Sequence, residues 1–325
     1  MRGFTWQDGE RTMHFGRGCA AEAVELLGGP GYTLLTTERT SEMARAVLDG
    51  AGAVHQVRGG LVDEIAAELL EKTGTGDRFV ALGGGRVIDT AKALVAARGG
   101  RAMAVPTTLS GAEMTRIHRL PAGVQAERVR CALVVNDPAL CASQPPETLA
   151  ASALNALGHA AEAPCTPKAS PVPTLAAHRA ANLLVHAFDT AEPDRDALAL
   201  GALLAGYAID SSGYGLHHIL SQTLVRLAGA GHGPANAILL PHTLGALAWR
   251  FAGQHSELAD AIGEDPAEAA ARLRALTGAT RLSDLGIRHE QLASCADAAA
   301  ERPELDLTPP RAERSELLAI YEQAL

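Results

Sequence analysis

"RFVALGGGRVIDTAKAL", from Arg78 to Leu94, is the stretch on which the fold turns. It opens on a short apolar run of strand type, passes at once into Gly83, Gly84 and Gly85, and continues as "VIDTAKAL" with helical spacing. Strand, glycine turn and helix in direct succession make the βα junction of a parallel sheet. Glycines there let the backbone approach a phosphate closely, and the N–H groups and dipole at the helix start favour an anion. A tight turn that binds nothing is the competing reading of a bare glycine triplet.

The text on both sides repeats the rhythm. "YTLLTT", "VHQVRG", "AMAVPTT" and "CALVVNDPAL" read as strands, while "SEMARAVLDGAG", "LVDEIAAELLEKTG" and "VIDTAKALVAARGG" read as helical patterns. Beyond "SQPPETL" the strand signals stop. From about Thr148 onward the chain reads as Ala- and Leu-rich helices, broken at "PCTPKASPVP", "SSGYG" and "AGAGHGPAN". The expected architecture is an α/β dinucleotide-binding domain with a parallel sheet over residues 1–144, then an all-α catalytic domain over 145–325. In a parallel sheet the carboxyl ends of the strands share one edge, so Thr107 and Thr108 of "AVPTTLSGAE" are expected to face the same crevice as the glycines. A nucleotide between the two segments is the expected ligand.

Composition narrows the partners. The 325 residues suffice for two domains, and an apolar fraction of 47% can supply more than one core. With 28 basic against 37 acidic residues the net charge is −9, which argues against a nucleic-acid surface and for small molecules. Five cysteines without CxxC spacing indicate free thiols rather than a disulfide framework or a zinc knuckle. "MRGFTWQDGERTMHF" lacks the apolar core of a signal peptide, and no apolar run approaches the roughly 20 residues that span a bilayer. A cytoplasmic protein without membrane contact is expected.

Histidines mark the second region of interest. "SGYGLHHILSQTLVRLAGAGHGPANAILLPH" holds His217, His218, His232 and His242; His218 and Gln222 share a helix face, and His232 follows a glycine-rich break. In "NALGHAAEA", Asn155 and His159 form another pair one turn apart. His14, His118, His217 and His289 read as core or surface residues. His159, His218 and His232 are the candidates for chemistry, since imidazole serves both as a transition-metal ligand and in proton transfer near neutral pH.

These residues together resemble the iron-containing (group III) alcohol dehydrogenases of the dehydroquinate synthase-like superfamily, and more closely their maleylacetate reductase branch. The resemblance covers nearly the whole chain through "FGRGCAAE", "ALGGGRVIDTAKAL", "VPTTLSGAEMT", "VVNDPALCASQPPETLAASALNALGHAAEA" and "GLHHILSQTLVRLAGAGHGPANAILLPH". It implies an α/β domain and a helical domain with the active site in the cleft between them. It implies too that Gly83, Gly84 and Gly85 cradle the pyrophosphate of NADH or NADPH, that Thr107 and Thr108 flank it, and that Asp89 and Leu140 border it. The family's metal ligands fall on Asn155, His159, His218 and His232, and a homodimer is implied.

Departures from the family pattern carry information as well. Metal-dependent members have aspartate where this chain has Asn155, so the only anionic ligand is lost; the reductase branch shares the asparagine. Gln222 stands where the family has a histidine, and glutamine cannot relay a proton. Arg86 replaces a serine after the glycines, and the short segment from Arg116 to Cys131 has no counterpart of the lysine the wider family often carries there.

The expected function is NAD(P)H-dependent reduction of the carbonyl of a small oxo acid without a metal. His218 and His232 are expected to donate the proton and polarise the carbonyl, with His159 in support and Asn155 as a neutral hydrogen-bond partner for substrate or for His159. Arg116, Arg119 and Lys168 are candidates for holding carboxylates. Were a metal retained, His159, His218 and His232 would bind it. A metal-dependent alcohol or polyol dehydrogenase and a non-redox lyase or cyclase on the same scaffold are the alternatives.

Overall fold

The apolar runs become neighbouring strands of one sheet. In the computed structural model, which describes residues 2–74 and 76–325, these are β1 (Phe4–Asp8), β2 (Arg11–Phe15), β3 (Tyr32–Thr36), β4 (Ala51–Gln56), β5 (Arg78–Gly83), β6 (Arg101–Pro106) and β7 (Leu133–Asn136). They pair in the order β1-β2-β7-β6-β5-β3-β4, and every pairing is parallel except β1 with β2. β5, β6 and β7 are buried almost throughout, which is why "FVALG", "AMAVP" and "LVVN" are continuous apolar runs rather than alternating ones. Leu34, Val80, Leu82, Met103, Val105 and Val135 come together in one core cluster of this sheet.

Strand register fixes the edge that matters. Thr36 pairs with Leu82, Gly83 with Pro106, and Phe15 with Asn136, so the carboxyl ends of β3, β5, β6, β7 and β2 share one rim. Consecutive strands run outward from β3 to β4 in one direction and from β5 through β6 to β7 in the other. The order therefore reverses between β3 and β5, the place where open parallel sheets bind ligands. Thr40 ties these two strand ends together, its hydroxyl donating to the Leu82 carbonyl at 3.1 Å and meeting the Thr36 hydroxyl at 3.0 Å.

Two local readings differ from the structure. The N-terminal hairpin, β1 and β2, carries no strand expectation above, although "RTMHF" alternates buried and half-buried residues in the two-residue period of a strand. "SEMARAVLDGAG" is not one helix: short helices at Glu38–Ser41 and Arg45–Asp49 flank a break at Ala44, whose φ of −137° and ψ of 72° are not helical. Its last two residues already belong to β4.

Contact density divides the chain into two compact units, Met1–Gln144 and Pro145–Leu325. The second contains only helices and turns. Its long helices are Pro146–Glu162, Pro171–His186, Arg195–Ser212, Leu216–Leu227 and His232–Arg250. Their limits follow from simple rules: proline begins two of them, Asp194 caps a third by accepting from the N–H groups of Asp196 and Ala197, and Gly213 at φ 78° stops that helix. Leu216, Leu220, Leu224, Ile238, Leu292 and Tyr321 belong to the core on which Leu216–Leu227 rests. Among the described residues no helix is long and apolar enough to cross a membrane.

Candidate active site

In the first unit, Gly83 ends β5 and Gly84 precedes the helix Gly85–Arg98. A Cβ on Gly83 would meet Val87 Cγ2 at 2.6 Å, one on Gly84 would meet Thr108 Cγ2 at 2.8 Å, and one on Gly85 would meet Ser110 Cβ at 3.2 Å. The turn's own packing thus demands the first two glycines, with or without a ligand. What singles out an anion site is the rest of the rim. No side chain caps this helix start, and the hydroxyls of Thr107 and Thr108 are buried without a hydrogen-bond partner. Uncapped N–H groups beside unused hydroxyls fit a pyrophosphate.

Asp89 lies one turn further along and pairs with Lys92 at 2.9 Å; burial raises its pKa while the Lys92 charge works against that shift. Lys92 is wholly buried and donates to the carbonyls of Ala112 at 2.7 Å and Thr115 at 2.9 Å, fastening the helix to the segment after Thr108. Glu113 in that segment is 0% exposed with neither carboxylate oxygen hydrogen-bonded, and burial pushes its pKa up to about 7. Leu140 sits in the short helix Pro138–Cys141, packed against the core of the sheet. Arg86 is exposed in the first turn of the glycine helix.

In the second unit, Asn155, His159 and Glu162 project from one face of Pro146–Glu162, and His217 and His218 open Leu216–Leu227. His218 and His159 stack with ring centroids 4.6 Å apart, while His217 stands edge-on to His218 at 4.9 Å. Glu162, 1% exposed, holds the arrangement. Its carboxyl group accepts from the backbone N–H of His217 at 2.6 Å and from that of His218 at 3.3 Å, and Oε2 lies 2.6 Å from His218 Nδ1. His217 Nδ1 meets the Thr243 hydroxyl at 2.9 Å. Gly158 gives His217 its room, since a Cβ there would lie 2.7 Å from His217 Nε2.

Several polar atoms of this cluster are buried without a partner: Asn155 Oδ1, His159 Nδ1, His217 Nε2 and His218 Nε2. Of the two partners expected for Asn155, substrate or His159, the bond from its Oδ1 to His159 Nδ1 is not formed. Burial lowers the pKa of His159, His217, His218 and His232, that of His217 and His218 to about 3, and neighbouring imidazoles add to the effect at the first three. They are neutral at neutral pH. His232 begins the helix His232–Arg250 and, although closely surrounded by protein, is open to solvent. It bears on the same group, for its charge would act on His159, His217 and His218.

Gln222 is engaged elsewhere. Its carbonyl oxygen accepts from Arg302 at 3.3 Å, and Arg302 also bonds the Tyr214 hydroxyl at 3.1 Å and pairs with Glu304 at 3.0 Å. His217, read above as an ordinary core residue, belongs to the cluster. His118 is satisfied by the Arg119 carbonyl and the Val129 N–H, and His289 is a surface residue near Glu322. Arg116, Arg119 and Lys168 are exposed. Glu162 is the residue missed by sequence reasoning; its signal was a carboxylate one turn beyond His159 on the face that carries Asn155.

Three neutral imidazoles and an amide oxygen offer no anionic ligand. Among the described residues, moreover, no group of three or more His, Cys, Asp or Glu is arranged to hold a metal ion. A set without an anion attracts a divalent cation less strongly than one that includes a carboxylate.

A parallel α/β unit with an uncapped glycine turn, joined in one chain to a helical unit with a buried histidine cluster, defines a class of nucleotide-dependent oxidoreductases. The model of the Fe-containing alcohol dehydrogenase family, C-terminal, matches residues 149–325, and the chain belongs to that family. It is 32% identical over 303 residues to maleylacetate reductase 1 of Rhodococcus opacus, covering 87% of this chain and 85% of the relative. The crystal structure of maleylacetate reductase from Agrobacterium tumefaciens superposes with a TM-score of 0.85 at 25% identity, over 100% of this chain and 99% of the other. An iron-containing alcohol dehydrogenase from Corynebacterium glutamicum has a TM-score of 0.85 at 27% identity, over 100% and 97% of the two chains.

Proposed function

We propose that this protein reduces the carbonyl of a small oxo acid of the maleylacetate type with NADH or NADPH and without a metal. The pyrophosphate is held by Gly83, Gly84 and Gly85 with Thr107 and Thr108 beside it and Asp89 and Leu140 at its border. Bound there, a reduced nicotinamide supplies the hydride. The forming alkoxide then needs a proton. His218 Nε2, buried and unpartnered with Nδ1 committed to Glu162, is the atom that delivers it, and this is the observation that carries the reading. His159 supports the ring by stacking. His232, open to solvent, returns the proton to the cluster between turnovers and helps polarise the carbonyl. Asn155 Oδ1 receives a donor from substrate, and the exposed cations Arg116, Arg119 and Lys168 are the candidates for its carboxylates.

Support for a metal-free reaction comes from the uncharged donor set of Asn155, His159, His218 and His232. Identity to maleylacetate reductase 1 over most of both chains supports the substrate class. The test is to mix purified protein with maleylacetate and either reduced cofactor and follow the absorbance of the nicotinamide. Cofactor oxidation that persists after dialysis against a chelator is the expected result. No oxidation with maleylacetate or any of a panel of oxo acids and aldehydes would overturn the reading.

A further inference from the structure

Glu162 is buried, acidic and unused by the chemistry above, yet it touches the proton-handling residue more closely than any other side chain named here. Two backbone N–H groups and a ring nitrogen converge on it: the N–H of His217 on Oε1, and the N–H and Nδ1 of His218 on Oε2. Both oxygens are thus committed as acceptors. A backbone N–H can only donate, and such bonds to both oxygens favour the charged carboxylate. Burial raises the pKa of Glu162, and the charge of His217 and then the backbone N–H groups around the carboxyl work against that rise.

Facing a carboxylate at 2.6 Å, His218 Nδ1 carries the hydrogen, and Nε2 is left with its lone pair. Nε2 has no partner inside the protein. The ring cannot turn over to exchange the two nitrogens, because it lies between His159 on one face and the edge of His217, and because its own backbone N–H is held by the same carboxylate. The nearness of His217 is in turn fixed by its bond to Thr243 and by the absence of a side chain at Gly158.

We infer that Glu162 is a positioning residue of the reductase: it holds His218 in the Nδ1–H tautomer so that Nε2 alone exchanges protons with the substrate oxygen. This rests on the proposed reductase reading for its consequence, though not for the tautomer itself. With a reduced nicotinamide bound, hydride would add to the carbonyl carbon, and His218, protonated at Nε2 by way of His232, would pass that proton to the alkoxide oxygen as the Nε2–H bond breaks. The cofactor is oxidised, the carbonyl becomes CH–OH, and His218 returns to its neutral Nδ1–H form with the Glu162 bond intact throughout.

Glu162→Gln tests the assignment with the least change of shape. Its carbonyl oxygen can keep the 2.6 Å bond from the His217 N–H, which turns the amide NH2 toward His218 Nδ1. That nitrogen must now accept, and the ring hydrogen moves to Nε2. The experiment is 15N NMR of protein labelled at the histidine rings, with the His218 signals identified by their loss in His218→Asn. In the unsubstituted protein we expect a protonated Nδ1 and a bare Nε2, and in Glu162→Gln the reverse.

Kinetics with maleylacetate and NADH should show kcat lowered roughly 10²–10⁴-fold, the usual worth of a placed acid–base group, with KM little changed. Glu162→Asp, which keeps a carboxylate, should keep the Nδ1–H tautomer and a higher kcat than Glu162→Gln. A bare Nδ1 in the unsubstituted protein overturns the inference, as does a Glu162→Gln protein with unchanged tautomer or unchanged kcat. Should Glu162→Gln fail to fold, the spectrum of the unsubstituted protein and the Glu162→Asp comparison still decide. A protein inactive on all oxo acids that nevertheless shows the expected tautomers would overturn the reductase reading and leave the role of Glu162 as positioner standing.

Discussion

The glycine turn and the histidine cluster are built on opposite principles. At Gly83, Gly84 and Gly85 the site is backbone: at the first two, side chains are absent because Val87 and Thr108 occupy the space a Cβ would need. At Asn155, His159, His217 and His218 the site is side chain, with four buried polar atoms left unpartnered and one carboxylate, Glu162, holding the set together. The first arrangement is one a stable fold would require for its own sake. The second costs stability, because a buried polar atom without a partner forfeits its hydration. Substitutions should therefore separate the two: at the turn stability falls first, at the cluster catalysis.

The largest expected effect is at the cluster. His218→Asn keeps a donor for Glu162 but removes the proton-transferring nitrogen, and should lower kcat roughly 10²–10⁴-fold with little change in melting temperature. Steady-state kinetics beside calorimetry would measure both. A loss of stability as large as that of a turn substitution, with kcat intact, would make the cluster structural and erase the contrast.

Glu113 is where the first unit breaks its own rule. It is fully buried with both oxygens unpartnered, and burial raises its pKa from 4.5 to about 7. Since the folded state holds this proton more tightly than the unfolded state, the contribution is complete below about pH 4.5 and is lost as pH rises through about 7. At about 1.4 kcal/mol for each tenfold change in proton affinity, that is on the order of 3 kcal/mol. Urea unfolding at pH 5 and pH 8 should show it, and Glu113→Gln should flatten the difference. An unflattened profile would assign the pH dependence to other groups.

Much of this contrast was legible in the sequence, and what was not has a physical reason. The sheet and the glycine turn could be read because β5, β6 and β7 are buried on both faces and leave unbroken apolar runs. The helical remainder could be read from its prolines, glycines and caps. β1 escaped because "FTWQD" has little burial of its own and owes its strand to pairing with β2. At the cluster, residue types and local spacing pointed to Asn155, His159, His218 and His232 but not to how they interact. The bond that orients His218 joins residues 56 apart, and the one that engages Gln222 joins residues 80 apart. A bond between Asn155 and His159, one of the two expected for that amide, is absent because one-turn spacing fixes a shared face and not a contact.

At the turn, Gly83→Ala should destabilise the protein by roughly 1–3 kcal/mol, the usual cost of forcing an added methyl into a packed site. Its Cβ would stand 2.6 Å from Val87 Cγ2 and 2.8 Å from Val87 Cβ, so the helix start must shift. Loss of nicotinamide binding, read by titration calorimetry, should accompany the fall in melting temperature. Unchanged stability would mean that the turn relaxes freely, and the glycines would then have to be explained by the ligand instead.

The smallest effect expected of the unsubstituted protein, and the sharpest test of the cluster's chemistry, concerns metal. Dialysis against a chelator should leave activity unchanged. Asn155→Asp would place an anion, 3% exposed at this position, beside neutral imidazoles, where an uncompensated carboxylate is unfavourable and a divalent cation would relieve it. This variant should be less stable than its parent in chelator and should regain stability as zinc is added, by about 1.4 kcal/mol for each tenfold excess over the dissociation constant. The parent should show no such gain. If zinc stabilised both equally, the three histidines would suffice without an anion, and Asn155 would cease to support the proposed metal-free reaction.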